Sequence, residues 1–187
     1  SKALIQVADD FHTGNRLPRY GVTGGADLRL DAPEALEHVR HIRDTLVDRV
    51  LTNSTDGMAK EVFIQDYARL LEPTLIAVGD QRIRAGAVVI ATGSRPLVPE
   101  AWRAFGDRIV TSDEIFELED LPVSVAVIGL GVIGLELGQS LRRLGVEVTG
   151  FDQLDTLGGI SDPEVLAQAR EILGKEFPLH LGQPASI

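Results

Sequence analysis

The chain has 187 residues, no cysteine, and 18 basic against 28 acidic side chains, a formal net charge of −10. With 44% hydrophobic and 25% charged residues it has the balance of a globular chain with a real core, and the length suits one generous domain or two small ones. The lack of cysteine excludes a disulfide scaffold, a thiolate zinc site, an iron–sulfur centre and a cysteine nucleophile, and the acid excess, net −1 over residues 1–96 and net −9 over 97–187, offers no basic stripe for a nucleic-acid backbone.

Ser1 to Phe11 reads as a helix, with Leu4, Ile5 and Ala8 on one side and Asp9 and Asp10 opposite. The chain begins with Ser1 rather than methionine, and the expectation is a fragment. Glycine, proline and asparagine make residues 14–25 a loop. A second helix is predicted from Asp31, which can cap it, with Glu34 three residues on as in a capping box. Its apolar positions are Leu36, Val39, Ile42, Leu46 and Val50, and residues 53–57 end it. His38 and His41 have a spacing that metal ligands use, but no third ligand is near, and a solvated face is the better reading.

Short strands come next. Residues 61–71 and 74–78 read as extended, Gly79-Asp80 as a hairpin turn, and residues 81–84 as the return strand. Ala87-Val88-Val89-Ile90 is an apolar run of the kind that forms a strand buried on both faces. It leads into Ala91-Thr92-Gly93-Ser94-Arg95-Pro96, whose small residues allow a ligand close to the backbone. A buried strand leaving through a loop would look the same. Residues 96–122 form a connector holding the domain boundary, with one or two helical turns within 112–118.

The last third reads as strand, helix, strand, helix. Val125 to Ile128 is a buried-type strand. A helix runs to about Leu144 and is capped by Gly145, and a second strand covers residues 146–151. Ser161-Asp162-Pro163-Glu164 starts another helix with a capping box and an early proline, and residues 179–181 start a third strand. This order implies a parallel sheet. The apolar window Val123 to Leu141 is long enough to span a membrane, but Gly129, Gly131, Gly134 and Gly138 and its acidic flanks argue against that. Neither membrane nor nucleic acid is expected as a partner.

Gly129-Leu130-Gly131-Val132-Ile133-Gly134 is a G-x-G-x-x-G run between an apolar strand and an amphipathic helix, and Asp152 ends the next strand 18 residues after Gly134. In a dinucleotide site each part has a mechanical job. Gly129 makes the tight turn, Gly131 admits the pyrophosphate, Gly134 lets the helix lie on the strand, and Asp152 accepts from a ribose diol. A βαβ unit whose glycines serve packing alone is the competing reading. No lysine or arginine lies between Arg143 and Arg170, and Asp152 would repel a 2′-phosphate, so NAD is favoured over NADP. Glu136, in an apolar helix turn, either points to solvent beside the cleft or faces a second cofactor.

Taken together, Ser1-Lys2-Ala3-Leu4-Ile5, the 91–96 loop, the 112–118 turns, Leu121-Pro122 and the run from Val127 to Gly138 resemble the flavin-dependent pyridine nucleotide–disulfide oxidoreductases, the dihydrolipoyl dehydrogenases in particular. The resemblance spans nearly the whole chain. It implies an α/β fold with an incomplete FAD-binding domain of helices and a β-meander (residues 1–118, connector included), followed by an incomplete Rossmann-type NAD-binding domain (residues 119–187). It further implies a cytoplasmic, homodimeric flavoprotein that passes electrons from a small-molecule or lipoyl-protein dithiol through FAD to NAD.

By position, the resemblance places Lys2 and Glu136 as a pair beside the flavin, Ala68 near the adenine, Thr92, Gly93 and Ser94 along FAD, and Gly129, Gly131, Gly134 and Asp152 on NAD. The family's second strand usually ends in glutamate. It usually carries an apolar residue where Gly150 stands, which implies a looser strand end here. The redox cysteines and the acid–base histidine fall outside the matched residues, so no catalytic residue and no metal ligand is assigned in this chain, and by itself it is expected to be inactive. A stand-alone NAD-binding or sensor module without redox chemistry is the alternative.

Overall fold

The first helix, α1 (Lys2–Thr13), buries Leu4 and Ala8, the apolar side expected from the sequence. The computed structural model describes residues 1–59 and 61–185. The chain divides into two compact units, one of Ser1–Arg43 with Pro96–Ile187 and the other of Asp44–Arg95. The second helix, α2 (Ala32–Ser54), starts in the former and ends in the latter. The Asp31 carboxylate accepts from the Glu34 N–H at 3.2 Å, so the predicted cap forms. His38 and His41 are exposed on this helix.

The Asp44–Arg95 unit holds an antiparallel meander of β1 (Ala68–Glu72), β2 (Leu75–Val78) and β3 (Gln81–Arg84). The turn between β2 and β3 is Gly79-Asp80, and Val78 faces Gln81 across it. Gly79 has φ +53, while among the described residues no non-glycine residue, Asp80 included, has positive φ, the arrangement of a II′ hairpin turn. The first strand is shorter than the 61–71 expected. Its ladder begins at Ala68, opposite Val78, where β2 ends, so residues upstream of Ala68 have no strand to pair with.

The apolar run 87–90 also departs from expectation. It is not a strand, and Val89 and Ile90 are 87% and 75% exposed. Such a run becomes a doubly buried strand only where a parallel neighbour and a covering layer meet it. No described strand pairs with it.

The larger unit is built on a parallel sheet in the order β4 (Ser124–Ile128), β5 (Glu147–Phe151), β6 (Leu179–His180). The helix α3 (Val132–Arg143) connects the first two strands, and α4 (Pro163–Leu173) precedes the third. The parallel pairing of the fingerprint strands is as the sequence predicts. α3 ends as a Schellman motif. Gly145, with φ +100, donates to Arg142 O at 3.1 Å, and Val146 donates to Leu141 O at 3.0 Å.

Two local expectations change. β4 is the sheet edge, and its alternate residues Ser124, Ala126 and Ile128 are exposed, so one face rather than two is covered. The cap of α4 is Asp162 rather than Ser161. Its carboxylate accepts from Glu164 N (2.9 Å) and Val165 N (3.0 Å), with Pro163 in the first helical position.

The core joins Leu4 and Ala8 of α1, Leu36 and Val39 of α2, Leu137 and Leu141 of α3, Val146 and Val148 at β5, and Phe177. A polar seam closes one side. Arg143 binds Glu176 through Nε (3.1 Å) and Nη2 (3.0 Å) and reaches Asp9 of α1 at 3.3 Å, while Gln139 adds a 2.6 Å bond to Glu176. A two-pronged guanidinium–carboxylate contact is the strong form of such a pair. In the connector, Thr111 and Glu114 cap each other: Glu114 accepts from the Thr111 N–H (2.8 Å), which holds its carboxyl below the usual range.

Gly134 is where this packing is tightest. A Cβ there would lie 1.9 Å from the Gly129 carbonyl oxygen. Gly134→Ala is therefore expected to cost the larger unit about 3 kcal/mol. Urea unfolding of the two proteins measures it, and an unchanged midpoint would contradict the packing described.

Candidate functional site

The turn between β4 and α3 is tied down from below and open above. Gly129, with φ +95, adopts a conformation that other residues rarely reach, and its N–H extends the sheet by donating to Phe151 O at 2.8 Å. Leu130 is fully buried. Its N–H donates to Asp152 Oδ2 at 2.6 Å, and its carbonyl accepts from Gly158 N at 2.8 Å. The other Asp152 oxygen accepts from Leu154 N at 2.8 Å. One carboxylate thus joins the glycine turn to the loop after β5.

The three glycines divide the work. Gly134 sits against the Gly129 carbonyl, as above. Gly131 is in ordinary extended geometry (φ −65, ψ −178), yet a Cβ there would meet nothing within 4 Å. Its missing side chain leaves free space directly over the turn. No side chain caps α3, whose first hydrogen bond runs from Leu135 N to Gly131 O at 3.0 Å. A helix start with free N–H groups and a partial positive charge, beside an open backbone, accommodates an anion such as a phosphate.

Gly150 reverses the expectation of a looser strand end. A Cβ on it would lie 2.9 Å from Leu130 Cδ2 and 3.1 Å from Phe177 Cε2. The missing side chain is replaced by two neighbours packed over the strand. Beyond it, Phe151 stacks on His180 with ring centroids 4.9 Å apart.

Lys2 is exposed on α1 and Glu136 half-buried on α3. These helices pack together, and Arg143–Asp9 at 3.3 Å is an ion pair between them. Lys2 lies two helical turns before Asp9, and Glu136 two turns before Arg143, so each shares a face with a member of that pair. Ala68 opens β1 in the Asp44–Arg95 unit. Thr92, Gly93 (φ +73) and Ser94 form an exposed loop of the same unit.

Two features went unread in the sequence. The Leu130 N–H is one, because any residue supplies that donor and no side chain signals it. The other is the reach of Arg170 from α4 to Asp155 in the loop after β5. Among the described residues no cluster of three or more His, Cys, Asp or Glu side chains is placed to hold a metal, and no helix is long and apolar enough to cross a membrane.

Residues 2–178 match the family model described as pyridine nucleotide-disulphide oxidoreductase. The chain is 30% identical over 191 residues to dihydrolipoyl dehydrogenase 2, chloroplastic, of Arabidopsis thaliana, with all of this chain and 33% of that protein covered. It is 30% identical over 176 residues to a soluble pyridine nucleotide transhydrogenase of Mycobacterium bovis, covering 89% of this chain and 36% of that one. The chain therefore spans about a third of the length of these relatives. The crystal structure of LpdA from Mycobacterium tuberculosis superposes with a TM-score of 0.77 at 21% identity, over 99% of this chain and 41% of that one.

The bond from Leu130 to Asp152 carries its own test. Asp152→Ala leaves a buried N–H without its acceptor and is expected to lower stability by about 1–3 kcal/mol. Asp152→Asn, which keeps an oxygen, should lose less. Denaturant midpoints of the two variants measure the difference, and equal losses would contradict it.

Proposed function

The chain belongs to the pyridine nucleotide-disulphide oxidoreductase family, and from that premise we propose that it forms part of an FAD-dependent enzyme carrying electrons from a dithiol to NAD. When bound, FAD supplies the two-electron relay between the dithiol and the nicotinamide. The observation that carries the reading is the β4–α3–β5 unit, with Gly131 open above the turn and Asp152 holding the turn in place.

In this reading residues 119–187 hold NAD; 186 and 187 lie outside the described residues. The N–H groups at the start of α3 bind the pyrophosphate, and Gly131 lets it approach the backbone. Each Asp152 oxygen accepts one backbone N–H and keeps a lone pair for a ribose hydroxyl. The same anion repels a 2′-phosphate, which favours NAD over NADP.

Residues 1–118 serve FAD. Lys2 and Glu136 would form a pair of opposite charges beside the flavin. Thr92, Gly93 and Ser94 run along the cofactor, and Ala68 lies near its adenine. The chain has no cysteine to exchange electrons with a dithiol, so this step belongs to residues beyond it. The donor we propose is a dihydrolipoamide-like dithiol, free or protein-bound, oxidised by a cytoplasmic homodimer.

Nucleotide titration of the chain, followed by calorimetry, tests the reading. NADH is expected to bind at least about tenfold more tightly than NADPH. The extended backbone of Gly131 suits a β-branched residue, and a Cβ there would meet nothing within 4 Å, so Gly131→Val should cut NADH affinity by more than about tenfold with little change in unfolding midpoint. Equal affinity for both nucleotides, or full binding by the valine variant, would contradict it.

A further inference from the structure

The loop after β5 contains a cation that the local sequence hides. No lysine or arginine lies between Arg143 and Arg170 in the chain. Yet Arg170 folds back from α4 into this loop. Its Nη2 donates to the Asp155 carbonyl at 2.7 Å and contacts Asp155 Oδ1 at 2.7 Å. Asp155 is only three residues past Asp152, a separation of at most about 10 Å of extended chain.

The guanidinium depends on this one partner. Among the described residues Asp155 is the only anion paired with Arg170, and Arg170 Nε is buried with no hydrogen-bond partner. The pair is nonetheless reachable from solvent, with the Asp155 side chain 71% exposed and that of Arg170 39% exposed. An arginine fork is well suited to a phosphate monoester, and here its Nη2 is taken by Asp155.

We propose that Asp155 is a specificity-determining residue that keeps Arg170 from serving a 2′-phosphate at the adenosine end of the nucleotide site. The inference rests on the nucleotide reading above. Two anions then act against NADP in different ways. Asp152 repels the phosphate where the ribose hydroxyls bind. Asp155 neutralises Arg170, an arginine in this loop that would attract it. Removing the Asp155 charge leaves Arg170 in place and in need of an anion, which a 2′-phosphate supplies and a ribose hydroxyl does not.

The experiment is titration of NADH and NADPH into the chain and three variants: Asp155→Asn, Arg170→Gln, and the two combined. Asp155→Asn is expected to shift the NADPH-to-NADH affinity ratio toward NADPH by about tenfold. The combined variant should lose that shift, because the cation is gone. Arg170→Gln alone should leave the ratio near that of the parent. Circular dichroism melting of each variant identifies any that does not fold, and the exposed Asp155→Asn change keeps size and shape. A tenfold shift that disappears with Arg170 supports the inference. A shift that persists in the combined variant, or no shift in Asp155→Asn while NADH still binds, overturns it and leaves the nucleotide reading intact. Loss of both nucleotides from the parent chain overturns the reading and the inference together.

Discussion

The Gly129 carbonyl occupies the space that a side chain at residue 134 would need, since a Cβ there would sit 1.9 Å from that oxygen. This approach brings the first turn of α3 onto the end of β4. From it follow the tight turn at Gly129, the burial of Leu130 over Gly150 of β5, and the exposure of the free N–H groups at the start of α3. The Asp152 carboxylate then fixes the turn from the neighbouring strand. Two backbone contacts and one side chain thus set both the shape and the charge of the candidate nucleotide site.

Stability and charge selection are coupled at this point. Asp152 accepts from two backbone N–H groups, so its negative charge is satisfied by the fold before any ligand arrives. The seam of Asp9, Arg143, Gln139 and Glu176 works at a different level, tying α1 to α3 and to the segment before β6. It holds the helix that carries Lys2 against the helix that carries Glu136 without using either residue.

The parallel unit was legible because its signals are local. A four-residue apolar run, three glycines at fixed spacing and an acid at the next strand's end predict β4, α3 and β5, and the structure has them. The 87–90 run was not legible for the same reason reversed. Its apolar content states a capacity, while a partner strand decides the outcome, and none among the described residues pairs with it. Gly150 misled because a glycine in a strand reads as a gap, whereas Leu130 and Phe177 converge on it from distant positions. The Arg170–Asp155 contact spans 15 residues and depends on where α4 packs, which no local pattern encodes. For Ala68, Lys2, Glu136 and the 92–94 loop, the assignment to FAD comes from the family resemblance, because the chemistry of these residues alone names no cofactor.

In the proposed nucleotide site, the uncapped start of α3, over the side-chain-free Gly131, receives a pyrophosphate. An amide NMR titration of the 15N-labelled chain with NADH measures this most directly. The largest shifts are expected on the amides of Gly131, Val132 and Ile133, with smaller ones at Asp152 and Gln153. Inorganic pyrophosphate is expected to reproduce the first group without the second. Shifts confined to residues outside the β4–α3 turn and the loop after β5, or no shifts at saturating nucleotide, would contradict it.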